Sequence, residues 1–309
     1  MGDPNTEAGR RDRAFEVPTG FDFFGTVDSH GWCMLAPNRV DEESRTLERT
    51  WAVFGGAARI RLGQPSGRGG PVRMEIVAGR GSRAGLAAGT WDRIEREARH
   101  VLRLDEDLAA FHARCRAAGP PFDEAARRGF GRLLRSPSLF EDVVKVLATT
   151  NTAWSGTIAM VRNLVDIAGR DGVFPGPAAV AALGAGRLRD EARWGYRAAY
   201  LAAFADAVAS GRLDLASWSS WKESTEDLET EIRRVPGLGP YAAAQVLTLL
   251  GRYDRIGVDT VFRSFVRRAH FPRARKPVPD RRLLEVYEPW GEWRMLAYWW
   301  EVWLDYESR

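Results

Sequence analysis

The chain changes its hydrophobic period once. Between Phe21 and Ala78, apolar and charged residues alternate in several places: Ala58, Ile60 and Leu62 with Arg59 and Arg61, then Val72, Met74 and Ile76 with Arg73 and Glu75. A period of two puts one set of side chains on one face of a strand. The run GQPSGRGGP (63–71) between the two stretches reads as a loop, so a small antiparallel sheet is expected here. From Thr90, read as an N-cap, the pattern turns helical, first through Ile94, Ala98, Val101 and Leu102. Helices are expected over 109–118, 140–147, 154–167, 189–209, 225–235, 241–250, 260–268 and 293–306, joined by short Gly, Pro and Asp loops. The expected fold class is α+β: a small N-terminal antiparallel β module followed by an all-α helical bundle. The expected domains are a flexible tail over 1–16, a β-rich domain with its following helix over 17–103, and a helical domain over 104–309.

With 309 residues, 45% hydrophobic and 28% charged, the chain has material for a real core and needs no staples. No apolar run reaches the ~18 residues of a membrane span. The polar start MGDPNTEAGRRDRAFE lacks the apolar stretch of a secretory signal. A cytoplasmic protein without membrane contact is therefore expected. Two cysteines, Cys33 and Cys115, exclude a disulfide framework, a four-cysteine zinc site and a four-thiolate iron-sulfur cluster, and both are expected to be buried thiols. His30, His100, His112 and His270 form no ligand-spaced pair, so no metal is assigned. The net charge is +4, with 42 arginines against three lysines, Lys145, Lys222 and Lys276. That balance permits nucleic acid as a partner without establishing it, and leaves few amine nucleophiles.

The stretch that carries chemistry is Thr225 to Arg268. Its first helix shows Leu228, Ile232 and Val235 on one face and stops at Pro236-Gly237-Leu238-Gly239; the next starts with Pro240 at N1 and ends at Gly251. Gly237 and Gly239 carry no side chains, so backbone N–H groups at the second helix start can approach a phosphate. Such a hairpin grips nucleic-acid backbone without reading sequence; standing alone, it would be better read as a plain helical corner. Eighteen residues after Tyr241 comes Gly257-Val258-Asp259-Thr260-Val261, an aspartate at a loop-to-helix junction whose ordinary role is an N-cap.

Hairpin, Gly-Val-Asp and the following helix with Arg263 and Arg267 together resemble the helix-hairpin-helix (HhH-GPD) DNA glycosylase superfamily, in its alkyl-base and 8-oxoguanine branch. The likeness runs from about Leu104 to the end. GFGRLLRSPSLFEDVVKVLATTNTAWSGTIAMVRNLV is similar to the stretch that fills the gap left by an extruded base, RWGYRAAYLAAFADAV to a Gly-Tyr-Arg helix, and PWGEWRMLAYWWEVWL to a C-terminal Trp-Gly helix. VLRLDEDLAAFHARC resembles the entry into the helical domain, and the N-terminal sheet fits the accessory β domain of that branch.

The resemblance implies an enzyme that flips a damaged nucleotide out of double-stranded DNA into a pocket between the halves of its helical domain. Asp259 would stabilise the oxocarbenium-like sugar, and the helix N-terminus would favour its ionised form. Bifunctional members have a lysine where Tyr241 stands, and Pro240 and Ala242 cannot replace that amine, so a monofunctional glycosylase is implied. Asn151 and Thr152 match the gap-filling position, Tyr196 a wedge beside the orphaned base, and Arg197 a residue that hydrogen-bonds that base. Gly156 stands where the 8-oxoguanine branch has an arginine for the opposite cytosine, so weak opposite-base selectivity is implied.

Tyr298 and Val302 replace the glutamine and phenylalanine with which that branch holds its base, and Gln245 replaces a cysteine. Tyr241, Gln245, Tyr298 and Trp299 are thus the candidate base pocket, with aromatic walls suited to a positively charged alkylated purine. Most tryptophans of 290–303 are expected in the core. Outside Gly237, Leu238 and Gly239, the backbone stripe is assigned to 263–282, with Arg263 and Arg267 ahead of Arg281 and Arg282. No cofactor is implied beyond a monovalent cation, Na+ or K+, at the hairpin carbonyls of Val235 and Leu238. The expected form is a monomer. Two other readings stay open: the same chemistry on 8-oxoguanine, hypoxanthine, uracil or another modified base, and a non-catalytic protein that uses the hairpin only as a phosphate clamp.

Overall fold

The alternating stretch folds into one antiparallel sheet of strand order β1-β5-β4-β3-β2, from β1 (Asp12–Phe15), β2 (Arg39–Asp41), β3 (Thr46–Val53), β4 (Gly56–Gly63) and β5 (Val72–Gly79). The computed structural model describes residues 10–81 and 83–308. Leu47 lies opposite Leu62, and Leu62 opposite Met74, so three fully buried side chains form one cross-strand row. The neighbouring row, Glu48, Arg61 and Glu75, faces the other way, with Arg61 paired to Glu48 at 2.7 Å. A slip of one residue would exchange the rows, which is why the alternation fixes the register.

The expected tail needs correction. Asp12–Phe15 is an edge strand paired with β5, because Phe15 is buried and Arg13 reaches Asp92 at 2.7 Å and Glu95 at 2.8 Å. The tail up to residue 9 lies outside the described residues.

Apart from α1 (Phe23–Val27), the helices follow the sheet: α2 (Ala88–Val101), α3 (Ala109–Ala118), α4 (Phe122–Arg128), α5 (Leu139–Thr149), α6 (Trp154–Ala168), α7 (Pro177–Asp190), α8 (Arg197–Ala209), α9 (Leu215–Ser219), α10 (Thr225–Arg233), α11 (Pro240–Leu249), α12 (Thr260–His270), α13 (Asp280–Leu284) and α14 (Arg294–Glu307). The fold class is α+β. Helix α2 starts before Thr90, with Ala87 at its N-cap. Buried Trp91, whose indole N–H donates to the Arg10 carbonyl at 3.2 Å, sets that start instead of a side-chain cap. The helix expected over 189–209 is two. Arg193 and Gly195 take left-handed φ of 60° and 54°, and fully buried Trp194 between them donates to the Met160 carbonyl at 3.1 Å. No helix of the described residues is long and apolar enough to cross a membrane.

The compact units do not follow the change of period. One contains the described residues up to Glu106 together with Arg132–Leu213; the other contains Asp107–Gly131 and the described residues from Asp214 onward. In the first, the sheet is tied to α5 by buried charges. The Arg49 guanidinium on β3 grips Glu141 on α5 through two bonds, at 2.6 and 3.1 Å, and Lys145 reaches the same carboxylate at 2.7 Å. Asn38 accepts a further Arg49 bond, while Asp142 accepts the Trp32 indole N–H and the Ser136 N–H, each at 2.9 Å. Burial alone would raise the Glu141 carboxyl; Arg49 and Lys145 outweigh it and hold that carboxyl below the usual range. Asp142, with fewer cations to oppose its burial, is pushed up.

Removing one member strands a buried charge. Arg49→Met should therefore destabilise the protein by about 3–5 kcal/mol, and adding Glu141→Leu should recover part of that loss. Urea unfolding of the two single variants and the double variant checks this; additive losses would contradict it.

Candidate active site and nucleic-acid contacts

In the second unit, α10 and α11 meet through the glycine hairpin. Ser224 caps α10 by accepting the Asp227 N–H at 3.1 Å, and Leu228 and Ile232 anchor the helix in the core. The chain then reverses in a turn over Val235, Pro236, Gly237 and Leu238, closed by the Leu238 N–H donating to the Val235 carbonyl at 3.0 Å. Proline at the second position and Gly237 at φ 92° at the third are what a type II turn requires. Leu238 is buried, so only its backbone is available to a partner. Gly239 is the N-cap of α11, offers no side-chain cap, and has open space where a side chain would stand. Among the described residues, nothing but its chain neighbours lies within 4 Å of that position.

Asp259 occupies the N-cap of α12, where its Oδ1 accepts the Phe262 N–H at 2.7 Å. Two opposed effects set its charge. Burial raises the carboxyl above its ordinary value, while the Phe262 and Val261 N–H groups and Arg263 pull it back without cancelling the rise. The helix start thus favours ionisation as the sequence implies, but desolvation is the larger effect. Gly257 fixes where this aspartate lies: a Cβ there would come within 3.0 Å of the Gln245 Nε2 and 3.1 Å of the Tyr241 ring. The absent side chain lets the segment leading to Asp259 lie against the α11 face that bears Tyr241 and Gln245, both half-buried.

Tyr298 on α14 completes the cluster from behind. It is buried, with its ring edge-on to Phe262 at 5.1 Å and to Tyr287 at 5.6 Å. Burial first, and then the Asp259 carboxylate, hold its phenol well above the ordinary range. Tyr287 in turn donates to Glu301 at 2.6 Å, and Glu301 also meets His270 at 3.1 Å. Sequence reasoning missed Phe262, Tyr287 and Glu301; the helical spacing of Phe262 to Asp259 was the available signal. Trp299 is half-buried beside Tyr298, whereas Trp300 is fully buried, donating to the Pro121 carbonyl at 2.9 Å.

The gap-filling candidates lie in the first unit, at the C-terminal end of α5. Asn151 is exposed with a left-handed φ of 45°, a conformation that asparagine tolerates better than most residues. Its amide donates to the Tyr196 hydroxyl at 3.2 Å, and Tyr196 is 56% exposed. Thr152 is exposed next to it. Arg197 is engaged within the chain. It is buried, its Nε donates to the Thr150 carbonyl at 2.8 Å, and its Nη2 binds the Thr150 and Asn151 carbonyls. Its guanidinium, stacked on the Tyr196 ring at 4.5 Å, braces the turn instead of offering that fork to a base. At position 156 a Cβ would stand 2.6 Å from the Thr152 hydroxyl, so a larger residue there would have to displace Thr152.

Several arginines of the basic stripe also have partners within the chain. Arg263 is committed to Asp280 through two bonds at 2.8 and 2.9 Å, and Arg267 donates to the Ala274 carbonyl at 3.3 Å. Arg281 and Arg282 lie near Glu285 at 3.5 and 3.6 Å. Among the described residues, Arg273, Arg275 and Lys276 on the loop after α12 are exposed and make no such bond. Cys33 and Cys115 are buried, and burial pushes both thiols up to about 12.

Asparagine caps a helix about as well as aspartate, and carries no charge to bury. Asp259→Asn should therefore unfold at or above the wild-type temperature, whereas Asp259→Ala should lose about 1 kcal/mol of cap. Thermal unfolding near neutral pH checks both, and equal loss in the two variants would remove the capping assignment.

No family model matches the sequence, and no curated protein matches it. Solved structures do. A 3-methyladenine DNA glycosylase from Archaeoglobus fulgidus superposes with a TM-score of 0.69 at 16% identity, over 94% of this chain and 96% of its own. An 8-oxoguanine glycosylase/lyase from Clostridium acetobutylicum, in complex with double-stranded DNA containing cytosine opposite 8-oxoguanine, gives 0.70 at 15% identity, over 98% and 99%. MBOgg1, in complex with a low affinity DNA ligand, gives 0.70 at 18% identity, over 94% of each chain. The chain has the fold of the helix-hairpin-helix DNA glycosylases.

Proposed function

We propose that this protein is a monofunctional DNA glycosylase that excises an alkylated purine from double-stranded DNA and leaves an abasic site. The observation that carries the reading is Asp259, held at the N-cap of α12 after a segment that lies against the Tyr241 face of α11, where the resemblance implies the catalytic carboxylate. An alkylated purine with a formal positive charge is already a good leaving group. Breaking its bond to C1′ leaves the electron pair on the base and positive charge on the sugar, which an adjacent carboxylate stabilises until water adds to C1′. Tyr241 supplies no amine for a Schiff base, and Lys145 is fully buried against Glu141, which supports water as the nucleophile.

In this reading the hairpin of Gly237, Leu238 and Gly239 holds DNA backbone, and Asn151, Thr152 and Tyr196 fill the vacated space. The opposite base is read weakly, since Arg197 is committed to the 150–151 carbonyls and Gly156 has no side chain. Backbone contact shifts from Arg263 and Arg267 to Arg273, Arg275 and Lys276. The Val235 carbonyl keeps a second lone pair, which suits it to a monovalent cation. The protein acts as a cytoplasmic monomer.

Single-turnover base release from duplexes carrying 3-methyladenine, 7-methylguanine, 1,N6-ethenoadenine, hypoxanthine, 8-oxoguanine or uracil, with and without hot alkali, tests the reading. Strand breaks confined to alkylated purines and dependent on alkali are expected. Alkali-independent breaks would show a lyase, release of the other bases would change the substrate, and binding without release would leave a clamp. Gly239→Asp should keep stability, since aspartate is a good N-cap, while lowering duplex affinity at least ten-fold by placing a carboxylate before the helix start. Unchanged affinity would remove the hairpin from the DNA contact.

A further inference from the structure

The first unit contains a groove of about 680 Å³ that none of the proposed chemistry uses. One wall is the sheet, with Arg39 on β2, Arg59 on β4 and Arg80 just past β5. The other is helical, with Arg162 and Asp166 on α6 and Asp171 in the short turn after it. Many guanidinium groups of this arginine-rich chain are closely paired, as in Arg73 with Asp12 at 2.6 Å and Arg187 with Glu191 at 2.7 Å, although exposed ones such as Arg273 and Arg275 are not. Here, among the described residues, Arg39, Arg80, Arg162, Asp166 and Asp171 have no ion pair or side-chain hydrogen bond. Arg59 leans towards Glu48 at 3.5 Å, yet its buried Nε has no hydrogen-bond partner.

The backbone accommodates this arrangement. The β3–β4 turn passes through Gly55 at φ 74°, where a Cβ would stand 2.9 Å from the Arg80 guanidinium. The glycine therefore gives Arg80 room to lie against the turn, while the Asp171 carboxylate lies 3.7 Å from where a Cβ on Gly56 would be. Arginines on one wall, unneutralised by the acids in the same groove, fit an anion with planar, multi-point acceptors. Two carboxylates on the other wall accept hydrogen bonds from hydroxyl or amino groups. One ligand class offers both: a nucleotide, with phosphate at one end and sugar or base donors at the other.

We propose that this groove is a phosphate-ester site that takes one nucleotide unit, its phosphate on the Arg39, Arg59 and Arg80 wall and its donor groups on Asp166 and Asp171. The unit has two sources, a free nucleotide or a nucleotide of DNA, whose exocyclic base amino group would then be the donor. Helix α6 joins the second source to the Asn151 turn: Trp154, Ile158 and Arg162 are spaced by four on one face, and eight residues span about 12 Å along the axis, roughly two nucleotide steps.

The test uses the full-length protein and the triple charge reversal R39E/R80E/R162E, all three residues being exposed, with thermal unfolding to check that the variant folds. Calorimetric titration with deoxyadenosine monophosphate reads the first source. Affinity for undamaged duplexes of 8 and 24 base pairs reads the second. The expected result is at least a ten-fold loss in the triple variant, either of nucleotide binding or of the advantage of the longer duplex, with D166N/D171N weakening the nucleotide but not inorganic phosphate. Wild-type values in both assays for a folded triple variant would overturn the proposal, as would wild-type behaviour of D166N/D171N in the assay that the triple variant fails. Neither assay contains a damaged base, so failure here leaves the glycosylase reading standing, and failure of that reading leaves this one.

Discussion

The first unit depends on a carboxylate that water cannot reach. Glu141 would be costly to bury alone, and it is tolerated because Arg49 from the sheet and Lys145 from its own helix both bind it. The sheet is therefore no appendage to the helices: it supplies one of the two cations that make α5 buriable. Helix α5 runs on into the Thr150 and Asn151 turn, and Arg197 closes that turn by taking its carbonyls. A left-handed, exposed asparagine at the tip is the result, backed by buried charge instead of by a loop free to move.

The second unit resolves a different conflict. A carboxylate proposed to stabilise charge on a sugar is best dry, because charge stabilisation is stronger away from water, but a dry carboxylate tends to keep its proton. The N-cap position balances these demands. Two backbone N–H groups and the first turn of α12 support the charge of Asp259 while its surroundings desolvate it. Gly257 supplies the geometry by letting the segment before Asp259 approach Tyr241 and Gln245, and the buried ring of Tyr298 backs Phe262 one turn into the same helix.

Much of this was legible in the sequence because it is local. The alternation fixed the strand faces, Pro236 and Gly237 the turn, and Gly-Val-Asp before a helical pattern the cap. What was not legible is non-local. The strand in 12–15 is held by Phe15 burial and by Arg13 reaching across to Asp92 and Glu95, which no period announces. The break between α7 and α8 follows from Trp194 needing a buried seat, and the commitments of Arg197 and Arg263 depend on partners 47 and 17 residues away. In a chain with 42 arginines, residue type alone cannot tell a guanidinium that meets DNA from one that braces a turn.

In the proposed function, Asp259 acts as a carboxylate whose ionisation is set by burial against the N–H groups of α12. The pH dependence of single-turnover base release from a 7-methylguanine duplex tests it most directly. The account predicts that the rate rises with pH through one ionisation lying above the ordinary aspartate range, and that this limb is absent from the residual activity of Asp259→Asn, slower by about 100- to 1,000-fold. The same acid limb in wild type and Asp259→Asn, or release at the wild-type rate in that variant, would contradict it.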